Sequence, residues 1–362
     1  MPLRVGIVGL PNAGKSTLLN ALARAGAPVA AYPFTTIDPN RGMVAVPDER
    51  LAAIASVTHP QRVVPAAVEV VDIAGLVRGA HRGEGLGNQF LAHIREVDAI
   101  VHVVRVFEAP DVPHVEGGTD PLRDAEIVEA ELALADLATV DRVREKIAPR
   151  ARIGDKVAQH ELAIVDRVRE ALQRGVAVRQ LDLASPEAAH VAEWHLLTTH
   201  PVILAANVSE NVGPDDPRVQ ALVRHAEQQD AAIVVVNAQL ETELADLDPK
   251  EAEEFRAVSG SEAALPRLVR AAYTLLGYVT FFSIASAEVR AWPVVRGTTA
   301  VEAARTIHSD MAQGFIRAEV IPWETLVAAG GLHPARERGL LRLEGRAYQV
   351  QDGDVVTFRF AV

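Results

Sequence analysis

The stretch Gly9-Leu10-Pro11-Asn12-Ala13-Gly14-Lys15-Ser16 fits the pattern G-x-x-x-x-G-K-[ST]. It follows an apolar run, Leu3 to Val8, that reads as a buried strand, and it precedes Thr17 to Ala25, which reads as a helix. Strand, glycine loop and helix in that order make a phosphate-binding loop. The glycines let backbone N–H groups curl around phosphate oxygens, and the helix N-terminus adds the positive end of its dipole. Lys15 is expected to reach the β- and γ-phosphates, and the Ser16 hydroxyl to ligate Mg²⁺. Asn12, Ala13, Gly14 and Thr17 complete the expected cradle. Of 36 basic residues only four are lysines (Lys15, Lys146, Lys156 and Lys250). A lysine in this loop of an arginine-rich chain points to a need for a compact ammonium.

A chain of 362 residues has room for two or three domains, and its 49% apolar and 23% charged residues are ordinary for a globular protein. No apolar run approaches the roughly 18–20 residues of a membrane span, and the start lacks a signal-peptide layout. Cysteine is absent, which excludes disulfides, thiolate metal sites and cysteine nucleophiles. These features predict a cytoplasmic protein without a membrane partner, with a monomer as the default. The net charge of −12 argues against loose, charge-driven binding to nucleic acid. From Tyr278 to Val362, however, nine basic residues match nine acidic ones, so this region is expected to tolerate an RNA or ribosomal surface.

Working outward from the loop, Val68 to Ile73, Ala99 to Val106, Pro201 to Asn207 and Ala231 to Val236 read as buried strands separated by helical stretches. That alternation predicts a doubly wound parallel α/β sheet with ligand groups at the strand ends. Residues 122–200 interrupt it: Ile127, Ala130, Leu134 and Leu137, then Leu162, Val165, Val168 and Leu172, predict an antiparallel helical hairpin broken at Pro149 to Asp155. Ser185-Pro186 is expected to supply the N-cap and first-turn pair of a third helix. Beyond residue 278, strand-like runs (Val279 to Ala285, Val289 to Pro293, Phe315 to Ile321, Ala347 to Gln351, Val355 to Phe360) flank one helix. That helix is capped by Thr299 and Glu302 and expected to reach about Met311. The expected domains are a nucleotide domain (1–121 and 201–277), the hairpin insertion (122–200) and a small α+β domain of β-grasp type (278–362).

Asp72-Ile73-Ala74-Gly75 ends a strand and fits D-x-x-G, in which Asp72 holds Mg²⁺ through water and the Gly75 N–H senses the γ-phosphate. Thr36, with Thr35 beside it, stands where the first switch places a Mg²⁺-binding threonine. Two departures from Ras-like enzymes matter more. Leu76 follows Gly75, where those enzymes carry a glutamine that orients water. The base-reading signature N-K-x-D appears as Asn207-Val208-Ser209-Glu210. Glu210 is one methylene longer than aspartate and Val208 removes the lysine stem along the base, so guanine selectivity is expected to be lost and ATP favoured.

Taken together these motifs closely resemble the YchF/Obg-like ATPases, a branch of the Obg-related P-loop proteins. The likeness runs through G-L-P-N-A-G-K-S at 9–16, Y-P-F-T-T-I-D-P-N at 32–40, D-I-A-G-L-V-R-G-A at 72–80 and G-E-G-L-G-N-Q-F at 83–90. It continues in E-L-A-L-A-D-L at 131–137, N-V-S-E at 207–210, V-R-A-W at 289–292, G-F-I-R-A at 314–318 and D-G-D-V at 352–355. The resemblance implies a P-loop domain, a coiled-coil insertion and a C-terminal TGS domain, with ATP hydrolysed in preference to GTP and association with ribosomes (50S or 70S, through RNA and protein). It places at His114, on a mobile proline-containing loop, the histidine that replaces the missing glutamine; His81 is nearer the switch but outside that motif. It also matches Asn12 to the asparagine with which K⁺-dependent relatives hold a monovalent cation, so K⁺ is an expected second cation beside Mg²⁺.

The expected function is therefore a ribosome-associated ATPase switch acting in translation, with Lys15, Gly75 and His114 serving hydrolysis. The alternatives are a GTPase of ribosome assembly, which Val208 and Glu210 oppose, and a nucleotide-gated binding protein with incidental hydrolysis, which Leu76 favours.

Overall fold

Parallel strands buried on both faces read as continuous apolar runs, and the first half of the chain is built on them. The computed structural model describes residues 3–25, 40–73, 86–109, 111–259, 263–285 and 287–361. Their strands are β1 (Leu3–Val8), β2 (Arg41–Ala45), β3 (Arg62–Val64), β4 (Ala67–Asp72), β5 (Ala99–Arg105) and β6 (Val202–Asn207). They continue with β7 (Ala232–Val236), β8 (Tyr278–Ala285), β9 (Glu288–Val295), β10 (Phe315–Pro322), β11 (Arg342–Glu344) and β12 (Asp354–Phe360).

One six-stranded sheet has the order β2-β4-β1-β5-β6-β7. β5 lies parallel between β1 and β6, in the registers Val5↔Ala99 and Ile100↔Val202, and β6 runs parallel to β7. Every residue of β5 and β6 is buried. Because β1 is central, the loop after it emerges at the carboxyl end of the sheet, where ligands bind in open α/β folds.

The helix Pro121–Arg152 starts on this sheet, with Ile127, Val128 and Leu132 in its core. Asp120 caps it through the Arg123 N–H at 3.2 Å, with Pro121 in the first turn. Farther along it packs against the helix Lys156–Gln173 through Val140, Ile147, Ala158, Val165 and Val168. Buried Asp136 ties this helix to the 197–199 turn, accepting from the Leu197 and Thr198 N–H groups and the Thr198 hydroxyl at 2.7–2.8 Å. The break falls inside the expected Pro149–Asp155 span: the first helix carries Pro149 in its last turn, ends at Arg152 and turns at Gly154 (φ +94°), and the next begins at Lys156. Ser185 is the first residue of its helix rather than the cap; Ala184 caps, its N–H donating to Glu187 at 3.0 Å.

The second sheet has the order β11-β10-β12-β8-β9-β3 and is mixed: β8–β9, β10–β12 and β10–β11 are antiparallel, β12–β8 and β3–β9 parallel. Phe281, Phe315, Val320 and Phe358 pack under the helix Ala300–Ile307. Glu302 accepts from the Thr299 N–H at 3.0 Å, as expected of a capping pair. That helix stops at Ile307, and His308 separates it from a short helix, Ser309–Gln313. The expected strand at 347–351 is reduced to one bridge, Thr299↔Gln349.

The chain forms two units; the described residues of the first fall within 3–25, 40–42 and 69–268, and those of the second within 43–68 and 269–361. Segment 43–68, assigned from sequence to the nucleotide domain, belongs with the C-terminal strands because β3 pairs with β9. The helical hairpin groups with the first unit.

Candidate nucleotide-binding site

The glycine loop leaves β1 under two steric constraints that explain its glycines. Gly9 has φ +152°, and a Cβ there would stand 2.4 Å from the Val103 carbonyl oxygen of β5. Gly14 has φ +95°, and a Cβ would stand 2.2 Å from Asn207 Nδ2. The helix opens at Lys15, and the Leu18 N–H already bonds Gly14 at 3.0 Å. Helix geometry therefore leaves the N–H groups of Lys15, Ser16 and Thr17 at the open end, where the dipole favours an anion.

Lys15 Nζ spans the loop and donates to the Leu10 carbonyl at 2.9 Å. Burial pushes its pKa down, and the nearby charge of Asp72 opposes that shift. The Ser16 hydroxyl donates to Asp72 Oδ2 at 2.9 Å, so two of the expected metal groups converge. Asp72 Oδ1 is buried and has no hydrogen-bond partner. An orphaned carboxylate oxygen beside a serine hydroxyl at the mouth of a phosphate loop suits a hard, oxygen-preferring cation, and Mg²⁺ fits. Thr36, Gly75 and Leu76 lie outside the described residues.

Asn207, at the end of β6, is 4% exposed and braces the loop. Its Nδ2 donates to the Ala13 carbonyl at 3.0 Å, and its Oδ1 accepts from the Ala238 N–H at 3.1 Å. The Ala13 N–H turns to Leu10 at 3.3 Å, so the Ala13 backbone serves the loop's own shape. Val208 is buried, its N–H bonded to Val236, while Glu210 is exposed.

A cavity of about 820 Å³ lies over these groups. Asn12, Gly14, Lys15, Ser16 and Thr17 line one side, and Asn207, Val208 and Glu210 another. All the expected cradle residues except Ala13 thus meet at one site. Sequence reading missed the remainder of the lining, notably Phe107, Asn237, Gln239, Leu240 and Glu243. The rule that ligand groups gather at strand ends could have found two of these: Asn237 directly follows β7, and Phe107 follows β5.

His114 lies elsewhere. Its Nε2 bonds Asp124 at 2.6 Å, and its Nδ1 accepts from the Glu116 N–H at 3.1 Å. A ring nitrogen that accepts carries no proton, so the imidazole donates from Nε2. Its side chain is 7% exposed, and it does not line the nucleotide cavity. The loop expected to be free is thereby anchored, and Asn12 Nδ2 adds a bond to the Pro113 carbonyl at 3.1 Å.

Comparison with known proteins agrees with this geometry. Residues 4–140 match the family of 50S ribosome-binding GTPases, and residues 278–361 match the YchF-GTPase_C family, described as a protein of unknown function. The Ribosome-binding ATPase YchF of Bacillus subtilis is 46% identical over 366 residues, covering all of both chains. The Haemophilus influenzae protein of that name is 47% identical over 363 residues, again covering both completely. Among solved structures, the Schizosaccharomyces pombe YchF GTPase superposes with a TM-score of 0.89 at 32% identity, covering 99% of this chain and 97% of that one. Identity of this degree along the whole of both chains supports one assignment: the chain belongs to the YchF family.

Proposed function

We propose that the protein is a ribosome-associated ATPase that binds ATP in the cavity over Lys15 and hydrolyses it to ADP and phosphate, as a translation-related switch. The observation that carries the reading is the Asn207–Glu210 strand end. Asn207 is committed to bracing the loop, Val208 is buried, and the exposed carboxylate of Glu210 is one methylene longer than the aspartate of the guanine-reading signature. The relatives support hydrolysis and ribosome binding through their names, and those names differ between ATPase and GTPase.

In this reading the N–H groups of Lys15, Ser16 and Thr17 bind the phosphates, and Lys15 Nζ moves from Leu10 to the β- and γ-oxygens. Ser16 and Asp72 hold Mg²⁺ together with Thr36, and the Gly75 N–H senses the γ-phosphate. The cation, when bound, neutralises charge developing on the phosphate oxygens. Asn12 holds a K⁺, and hydrolysis rates identical in Na⁺ and K⁺ would remove that element. His114 orients the attacking water after leaving Asp124; a His114→Ala variant then binds ATP normally and loses turnover. The hairpin acts as a coiled-coil insertion and residues from about 278 onward as a TGS-type module. The protein works as a cytoplasmic monomer on the 50S subunit or the 70S particle.

The deciding experiment is calorimetric titration with non-hydrolysable ATP and GTP analogues in Mg²⁺ and K⁺. A preference for ATP of tenfold or more, about 1.4 kcal/mol, is expected. A GTP preference would refute the reading and favour the GTPase alternative.

A further inference from the structure

The first unit carries a long helical lever whose end has no role in the nucleotide site. The helix Pro121–Arg152 has 32 residues, about 48 Å at the α-helical rise. Its near half is rooted in the sheet core, and its far half is stiffened by Lys156–Gln173. At the tip, Ile153 is 86% exposed and Val157 68% exposed, while a Cβ at Gly154 would meet nothing within 4 Å. Two branched aliphatic side chains are thus free to be covered by a partner at this end of the hairpin.

The charge there is also opposite to that of the chain. Residues 144–157 hold five basic side chains (Arg144, Lys146, Arg150, Arg152 and Lys156) and two acidic ones, in a protein of net charge −12. Two of the four lysines fall in this one turn region. Arg150 pairs with Asp155 and Arg144 with Asp166. Among the described residues, no ion pair engages Lys146, Arg152 or Lys156. Arg150 and Arg152 suit the helix C-terminus they occupy. Lys156 does not: it is the first residue of the next helix, where the dipole disfavours a cation. The lysine there costs the helix a small part of its stability.

We propose that this tip is a docking contact for the sugar–phosphate backbone of ribosomal RNA. Lys146, Arg152 and Lys156 meet phosphates, and Ile153 and Val157 seat against sugar or base faces. The inference rests on the ribosome-binding reading above and names the surface that serves it. RNA is favoured over an acidic protein because isolated cations around a small apolar point suit evenly spaced phosphates, and counterion release then supplies affinity.

The test is co-sedimentation of the full chain with purified ribosomes in a non-hydrolysable ATP analogue, over a range of KCl concentrations. Arg152→Gln with Lys156→Gln, and separately Ile153→Asp, are expected to weaken association about tenfold. Ribosome-free ATP turnover and thermal melting should be retained, since all three side chains are remote from the nucleotide cavity. The double variant should also flatten the slope of log affinity against log salt by roughly 1.4–1.8. If the unaltered protein fails to sediment with ribosomes in the ATP analogue at every KCl concentration, the ribosome reading falls and takes this inference with it. If it sediments and the variants match it, the tip assignment alone is overturned. Weakened binding with an unchanged salt slope would overturn RNA in favour of a ribosomal protein.

Discussion

Replacing Asn207 by alanine should separate the loop from the strand end that holds it. The amide makes two buried hydrogen bonds, 3.0 Å to the Ala13 carbonyl and 3.1 Å from the Ala238 N–H. Alanine leaves both backbone groups unpaired, and each such group costs roughly 1–3 kcal/mol. The adjoining cavity of about 820 Å³ lets water reach part of the gap, which favours the lower half of that range. A net loss of about 3 kcal/mol follows, lowering the melting temperature of a unit of this size by roughly 6–12 °C. Nucleotide should suffer separately, because the carbonyl that fixes the loop's curvature is released; affinity for an ATP analogue should fall tenfold or more. Thermal unfolding by circular dichroism without nucleotide and calorimetric titration measure the two effects. Melting within about 2 °C of the unaltered protein, with affinity within twofold, would refute the bracing role.

Three other perturbations follow from the same geometry. Gly9→Ala forces a Cβ against the Val103 carbonyl, a backbone atom in a fully buried strand that cannot yield; soluble yield and ATP-analogue binding should drop sharply, and normal binding would mean that the loop has slack. Asp124→Asn weakens the 2.6 Å bond that holds His114 and should raise ribosome-free ATP turnover severalfold if the histidine must swing free, whereas unchanged turnover would remove His114 from the mechanism. The third concerns acid. His102 is fully buried on β5, and burial pulls its pKa down to about 4 from the usual 6.5, with Glu129 opposing and the charges of His225, Lys15 and Arg179 assisting. A depressed pKa contributes stability above pH 6.5 that is lost as pH falls toward 4, at most about 3 kcal/mol. His225, raised by its bond to Glu129, has the reverse sign and loses its contribution as pH rises through its folded pKa. Urea denaturation of a His102→Leu variant should therefore show a flatter acid limb, and an unchanged limb would place the acid sensitivity elsewhere.

The nucleotide loop was legible because its chemistry is local. Glycines, a lysine and a serine lie at fixed spacing between a strand and a helix, and the structure brings Asn12, Gly14, Lys15, Ser16 and Thr17 to one cavity. Asp72 was found by its strand end, and the Ser16 hydroxyl donates to it at 2.9 Å. The bracing by Asn207 was not legible, since a base-reading residue and a loop brace carry the same letter. The anchoring of His114 depends on Asp124, ten residues away on a helix, and a loop sequence alone reads as free. In the second unit, Ala347 to Gln351 had the composition of a strand but finds only one bridging partner. The short helices Trp323–Ala329 and Leu332–Glu337 were missed because neither is long enough to display a period.

The assembly of the second sheet has a consequence for synthesis. Segment 43–68, with the helix Glu49–Thr58 and β3, leaves the ribosome about 200 residues before residues 269–361, to which it belongs. At about 5–20 residues per second that is a wait of roughly 10–40 s. During it Leu51, Ile54 and Val64, all buried in the finished unit, have no native partners to cover them. Holdase protection of the nascent chain should therefore matter most between residues 68 and 269, and a C-terminal fragment beginning at 278 should fold poorly for want of its edge strand.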